Sequence, residues 1–581
     1  MKSKLLLLLF LVVAITGCDD LIEPAIENNR SLDDMYDEAE YAQGILLNGY
    51  TRLPNNGYSF DDVATDDAVS NAVGTVNSNN YREVATGQWT AQNNPFDQWR
   101  NARAAIQYIN IFLAEADKVT WSTDEQISQM FNDRLKGEAY GLRALYMYYL
   151  LRTSAGWANG ELLGVPILLE PEETGSDFNQ PRATFEQCMQ QLYQDVAQAE
   201  ILLPLDYETV ETLPEGYSNL ADYNRVFGEY AKQRMTGRIA KTIRAQAALL
   251  AASPAYAQGN TTTWADVANY AAEVLVENGG VAGIAENGHT WYKNTSIISG
   301  IGGGNNPPEI IWRTDVVETN DLERRNFPPT LFGEGEINPT QNLVDAFPMA
   351  NGYPIDDPAS GFDPSNPYAN RDPRLNHYVV VNQSTAGANN VTITTAADGT
   401  TNDALNAVET STRTGYYLRK LLRQDVNLDP VVNNTQQHYT SRMRYTQLYL
   451  IYAEAANEAW GPKGTGAHGF SAYDVISRIR ERAGITQPDA YLEAMAQDPA
   501  SMRDLIRNER RLELCFEGFR FWDIRRWGND LTTPASGVSI TNNTHQTITV
   551  ENRVFEDYMQ YGPIPFSEVL KYDKLIQNQG W

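Results

Sequence analysis

Apolar residues recur with helical spacing over most of the chain. Between 133 and 151 the stripe is Leu135, Ala139, Leu142, Tyr146 and Tyr149, and between 184 and 203 it is Phe185, Cys188, Leu192, Val196 and Ala199. Tyr445, Leu448, Tyr452, Ala455 and Ala459 mark 441–460, and Ala472, Ile476, Ile479 and Ala483 mark 471–483. Steps of three and four put each set on one face of a 3.6-residue helix. Further helices are predicted over 34–53, 97–117, 234–252, 264–277 and 501–516. Pro181 stands before the 184 helix and Pro254 closes the 234 helix, as expected of a residue that cannot continue one.

The predicted helices pair in order: 97–117 with 133–151, 184–203 with 234–252, 264–277 with 441–460, and 471–483 with 501–516. Hairpins stacked side by side make a tetratricopeptide-like scaffold, although no fixed repeat period or repeat consensus runs through the chain. The expected fold is therefore mostly α, with long loop-rich insertions carrying short strands. The longest insertion, 278–440, is rich in Gly, Asn, Pro and Thr, with strand-like pieces at Glu309–Arg313, His377–Val381 and Val391–Thr395. Loops of that length usually carry function, so a binding site is expected on this insertion and on 55–96. The chain then divides into a leader (1–17), a tether (18–30), an N-terminal helical part with its binding loop (31–277), the insertion (278–440) and a C-terminal helical part (441–581).

The leader is basic at Lys2 and Lys4, apolar from Leu5 to Ile15, and ends Thr16-Gly17-Cys18. That is the pattern of a secretory signal, and the apolar run is well short of the roughly 20 residues of a membrane span. Ile15-Thr16-Gly17-Cys18 resembles a bacterial lipobox, which implies acylation of Cys18 and a stable membrane anchor. The acidic tether Asp19-Asp20-Leu21-Ile22-Glu23 resembles a surface-export signal.

At 581 residues the chain exceeds the roughly 250–300 at which a single core stops growing. Two or more sub-cores are expected. A net charge of −29, with no basic run, argues against nucleic acid and against electrostatic docking on anionic lipid. Three cysteines make no disulfide framework; Cys188 and Cys515 fall on apolar faces and read as buried thiols. There is no zinc-binding His pair, P-loop or Gly-x-Ser-x-Gly elbow, and His289, His377, His438, His468 and His545 are isolated. No metal or cofactor is expected. The chain holds 11 Trp, 32 Tyr and 18 Phe. Those outside the core would be stacking surfaces for a ligand. A glycosidase needs only two carboxylates at the right separation, so a surface glycoside hydrolase remains the alternative to a binding protein. A purely structural subunit is the third reading.

The C-terminal third carries a resemblance. Asn508-Glu509-Arg510-Arg511-Leu512-Glu513-Leu514-Cys515-Phe516-Glu517-Gly518, running into Phe519-Arg520-Phe521-Trp522-Asp523-Ile524-Arg525-Arg526-Trp527-Gly528, resembles the signature of the SusD/RagB family of surface glycan-binding lipoproteins. Lys136 to Tyr146, Pro339 to Phe347, Asn370 to Leu375, Gly562 to Pro565 and the closing Asn578 to Trp581 are similar to further family motifs. The resemblance implies a non-catalytic, outward-facing outer-membrane lipoprotein. It would bind oligosaccharide and pass it to a SusC-like TonB-dependent transporter.

The signature itself reads as scaffold. Arg507, Arg510, Arg511 and Glu513 are expected in buried ion pairs, and Trp522 and Trp527 in packing. Sorting the tryptophans by surroundings leaves Trp89, Trp121 and Trp291 in polar, loop-like segments. The resemblance places ligand-facing aromatics in those regions. The expected glycan contacts are Trp291, Tyr292, Trp89 and Tyr81, with Asn80, Arg82 and Asp67 as polar partners.

Overall fold

The computed structural model describes residues 32–54, 57–72, 79–302, 304–529 and 531–581. The leader, the tether and Cys18 lie outside the described residues. The protein is 45% helix and 10% strand, the mostly α fold that the apolar spacing predicts.

The long helices are α1 (Ala39–Thr51), α2 (Trp99–Glu115), α3 (Glu125–Ser154), α4 (Phe185–Leu202), α5 (Gly237–Ala252), α6 (Trp264–Glu277), α7 (Tyr445–Trp460), α8 (Ala472–Ala483) and α9 (Pro499–Leu514). Their starts follow local chemistry. Thr184 with Gln187, Thr263 with Asp266, and Ser471 with Asp474 form reciprocal capping boxes, and Asp498 caps α9 ahead of Pro499. From α1 to α7 each helix packs against the next. Where α3 meets its neighbours, glycine is required: a Cβ on Gly137 would lie 2.6 Å from Leu203, and one on Gly141 2.5 Å from Met235.

One expected pairing differs. Helices α8 and α9 both pack on α7, and they meet each other through the Arg480–Glu509 ion pair at 2.7 Å. The face of α9 has too much charge to form an apolar seam with α8. The strand read at His377–Val381 is shortened to Val379–Val380, because the helix Pro373–Tyr378 takes its first two residues. Asp372 caps it and Pro373 fills its first turn, signals that outweigh the alternating pattern.

Strands among the described residues form two-stranded antiparallel pairs. Ala68–Ser70 pairs with Ile337–Pro339, Ser441–Arg444 with Ile310–Arg313, and Gln436–His438 with Val317–Thr319. The hairpin Ala535–Thr541 with Thr544–Glu551 is absent from the sequence reading. Its second strand is largely exposed, so it shows no apolar alternation.

Two large cores result. The first lies between the helices and includes Leu142, Leu192, Ile243, Val274, Tyr452 and Ile506. The second gathers Phe60, Val63 and Ala68 with the insertion residues Trp291, Phe327, Val344, Tyr378, Tyr416 and Leu422. Helix α9 joins them: Leu505, Ile506 and Leu514 face the first, and Leu512 and the following Phe516 face the second. Between the apolar faces runs an ion-pair network, as expected for Arg510, Arg511 and Glu513, whereas Arg507 lies over the Trp527 ring at 4.7 Å instead of in an ion pair. Glu509 bridges Arg374 and Arg480, and Glu513 bridges Arg374 and Arg482, with all four distances between 2.7 and 3.1 Å. These side chains are at most 1% exposed. Each buried charge therefore has its counter-charge, without which it would be strongly destabilising.

Candidate binding clefts

Two clefts open where the helical scaffold meets the insertion. The first is built by the last turns of α3 (Tyr148, Tyr149, Arg152), by Gln246 of α5 and Gln447 of α7, and by the signature segment Glu517–Trp522. Tyr58, Asp61, Tyr81 and Phe96 close its other side. The second, about 1000 Å³, is walled by Trp291, Tyr292, Leu322, Leu421, His438 and Tyr439. Gly57, Tyr58 and Thr440 line both, so the two are neighbours across a shared wall.

Some of the buried polar groups without partners lie here. Asp61 is 5% exposed and one of its carboxylate oxygens has no hydrogen bond. Burial raises its pKa to about 6 against the pull of Arg152 and Arg525. Gln246 and Gln447, 7% and 3% exposed, add two side-chain amides to the same cleft. In the second cleft the Trp291 indole N–H and the Tyr439 hydroxyl are both buried without partners. Their rings lie 5.2 Å apart. Buried polar groups are nearly always satisfied, so at these positions a polar ligand or water can complete the bonding.

The expected contact residues are divided. Trp291 and Tyr292 wall the second cleft, and Tyr81 walls the first, its hydroxyl pushed up to about 12 by burial and by Asp61. Trp89 is a correction. It is 3% exposed and packs edge-on against Phe96, Phe521 and Trp581 at 4.8–5.8 Å, its N–H donating to Asn94. That loop closes a satellite core, so the ring has no face left for a ligand. Asp67 is fully buried and paired with Arg511 at 2.5 Å, and Arg82 donates to Glu551 at 2.6 Å. Asn80, itself exposed, opens the short helix Asn80–Ala85. None of these three lines either cleft. Trp121 sits elsewhere, its N–H donating to the Ala116 carbonyl and the Asn132 side chain.

Sequence reading missed Tyr58, Tyr148, Tyr149, Arg152, Gln246, Gln447 and Trp522. Trp522 lies in the scaffold signature, yet it is half-buried on the cleft wall. A signal for part of the set exists: Tyr148, Tyr149 and Arg152 are spaced three and four apart, so the guanidinium meets both rings on one helix face.

Two family models match the chain. The SusD family covers residues 308–581, and a SusD-like family described as starch-binding associating with outer membrane covers 29–227. The chain belongs to the SusD family. SusD-like protein P25 of Formosa agariphila is 33% identical over 112 residues, 19% of this chain and 19% of that protein. SusD-like protein P2 of the same organism is 33% identical over 154 residues, 25% of this chain and 27% of that protein. The aligned stretches thus span under a third of either relative.

Among solved structures, a SusD-like protein of Bacteroides fragilis superposes with a TM-score of 0.72 at 22% identity, covering 96% of this chain and all of that one. A laminarin-binding SusD-like protein superposes with a TM-score of 0.57 at 20% identity, covering 94% of this chain and 100% of that one. These likenesses establish a shared fold. The first cleft draws on both family-matched segments, whereas Gln246, Trp291 and Tyr292 fall between them.

Proposed function

We propose that this protein is a cell-surface lipoprotein, anchored through Cys18, that binds an oligo- or polysaccharide in the two clefts and delivers it uncleaved to a SusC-like TonB-dependent transporter. The observation that carries the reading is the combination of aromatic walls with buried, unpartnered polar side chains in the clefts. A sugar ring offers an apolar face to the aromatics and hydroxyls to the amides and carboxylate. Each ring contact contributes modestly, about 0.5–1.5 kcal/mol by analogy with aromatic pairs, so several are needed.

Binding without cleavage is supported by the state of Glu517, the other carboxylate of the first cleft. Its oxygens accept from Arg444 at 2.7 and 2.9 Å and from Lys420 at 2.7 Å. A carboxylate held by two cations is not available as base or nucleophile, and Asp61 alone does not make the acid–base pair of a glycosidase. Among the described residues no helix is long and apolar enough to cross a membrane, in keeping with attachment by lipid.

The test is calorimetric titration with a panel of neutral and acidic glycans, alongside a reducing-end assay. Saturable binding to a member of the panel is expected, without new reducing ends. Tyr58→Ala and Trp291→Ala should each weaken that binding. A flat response to every glycan, or release of reducing ends, would overturn the reading.

A further inference from the structure

The inner end of the first cleft holds a guanidinium with no counter-ion. Arg152, on the last turn of α3, has no hydrogen bond or ion pair with any described residue, and its Nε is buried without a partner. Rings surround it instead: Trp522 at 4.7 Å, and Tyr148 and Tyr149 at 5.4 Å each. A smaller cavity adjoins the cleft. Tyr148, Arg152, Gln246, Gln447 and Trp522 line both spaces.

Local carboxylates do not neutralise this charge. Glu517 is occupied by Arg444 and Lys420. Asp61 feels the field of Arg152 but forms no ion pair with it, and it shares that field with Arg525, whose guanidinium donates only to the carbonyls of Met559 and Phe521. Two guanidinium groups thus face one carboxylate. A half-buried cation held among rings is stabilised in part by their faces, yet no described residue accepts from its side-chain N–H groups, and the Nε–H is buried. The group that satisfies them best is an oxyanion, because the planar fork matches carboxylate or sulfate oxygens in pairs.

We propose that the first cleft selects an acidic sugar, its carboxylate or sulfate bound by Arg152 between the rings of Trp522, Tyr148 and Tyr149. Gln246 and Gln447 then bond the neighbouring hydroxyls. The inference rests on the reading of this cleft as a glycan site and adds the class of glycan.

The experiment is calorimetry of the purified protein with matched probes: polygalacturonate oligomers against their carboxyl-reduced form, carrageenan oligomers against their desulfated form, and neutral laminarin and starch oligomers. One acidic probe is expected to bind at least about tenfold more tightly than its neutralised counterpart, as for a charge-assisted bidentate contact. That margin should shrink as salt is raised. Arg152→Gln should erase it and Arg152→Lys should keep part of it, with melting temperatures recorded for both. Equal binding of the acidic and neutralised probes, or a margin that survives Arg152→Gln, would overturn the inference and leave glycan binding standing. Should Arg152→Gln fail to fold, the wild-type comparison and its salt dependence decide. Silence across the whole panel would overturn both readings.

Discussion

Replacing Glu454 by Gln should cost about 3 kcal/mol of stability. Glu454 lies on α7, 2% exposed, and accepts from Arg526 at 2.6 and 2.8 Å and from the Trp527 indole at 2.7 Å. Arg526 is held on its other side by Asp523 at 2.8 Å. Burial alone would raise the Glu454 pKa, but the Arg526 charge and hydrogen bonds, with Arg510 and Trp527, bring it down to about 2. A carboxyl group that ionises near pH 2 rather than near 4.5 contributes about 3 kcal/mol at neutral pH. Removing one partner of a buried pair independently gives about 3–5 kcal/mol. The amide must also turn an N–H toward a donor, which leaves at least one of them unsatisfied.

The sign follows from the lowered value. The contribution is complete above the unfolded pKa and disappears as pH falls through the folded one. Urea unfolding of wild type and Glu454→Gln at pH 7, read by tryptophan fluorescence and circular dichroism together, should show the full difference. The gap should narrow as the pH drops from about 4.5 toward 2. The double change Glu454→Leu with Arg526→Met should recover much of the loss, since it removes both charges. A Glu454→Gln protein within about 1 kcal/mol of wild type would refute the reasoning.

Trp89→Ala should destabilise the protein by about 3–5 kcal/mol, as for a large core truncation, while leaving glycan affinity intact in the calorimetric assay. His438 donates from one ring nitrogen toward the Gln436 carbonyl at 2.8 Å and from the other toward Glu323 at 3.0 Å. Burial opposes its charge and Arg423 adds to that, but Glu323 and the carbonyl prevail and its pKa is raised. The stability it contributes is therefore full below about pH 6.5 and is lost as pH rises through the raised value. His438→Gln should flatten that slope in a pH series of urea midpoints.

The pattern of apolar spacing determined nearly all of the scaffold. Eight of the nine long helices stand within five residues of their predicted spans, and α3 begins eight residues earlier than predicted, at Glu125; a buried helical face needs an apolar residue every three or four positions and leaves that mark in the order of residues. The caps Thr184, Thr263 and Ser471 are similarly local. The charged part of the signature on α9 was legible as scaffold, but Trp522 and Glu517, read with it, line the first cleft.

Only the tertiary structure decided which side chains face a ligand. Trp89 and Trp291 both stand in polar loop segments, yet Trp89 closes onto Phe521 and Trp581 whereas Trp291 walls a cleft. The residues that decide between these fates are hundreds of positions away. Arg152 and Arg143 both lie on α3, and the difference between them is a partner: Asp195 meets Arg143 at 2.7 Å, and no carboxylate meets Arg152. A helix face is a local property of the chain. An unpaired charge or a place on a cleft wall depends on what the rest of the fold brings alongside it.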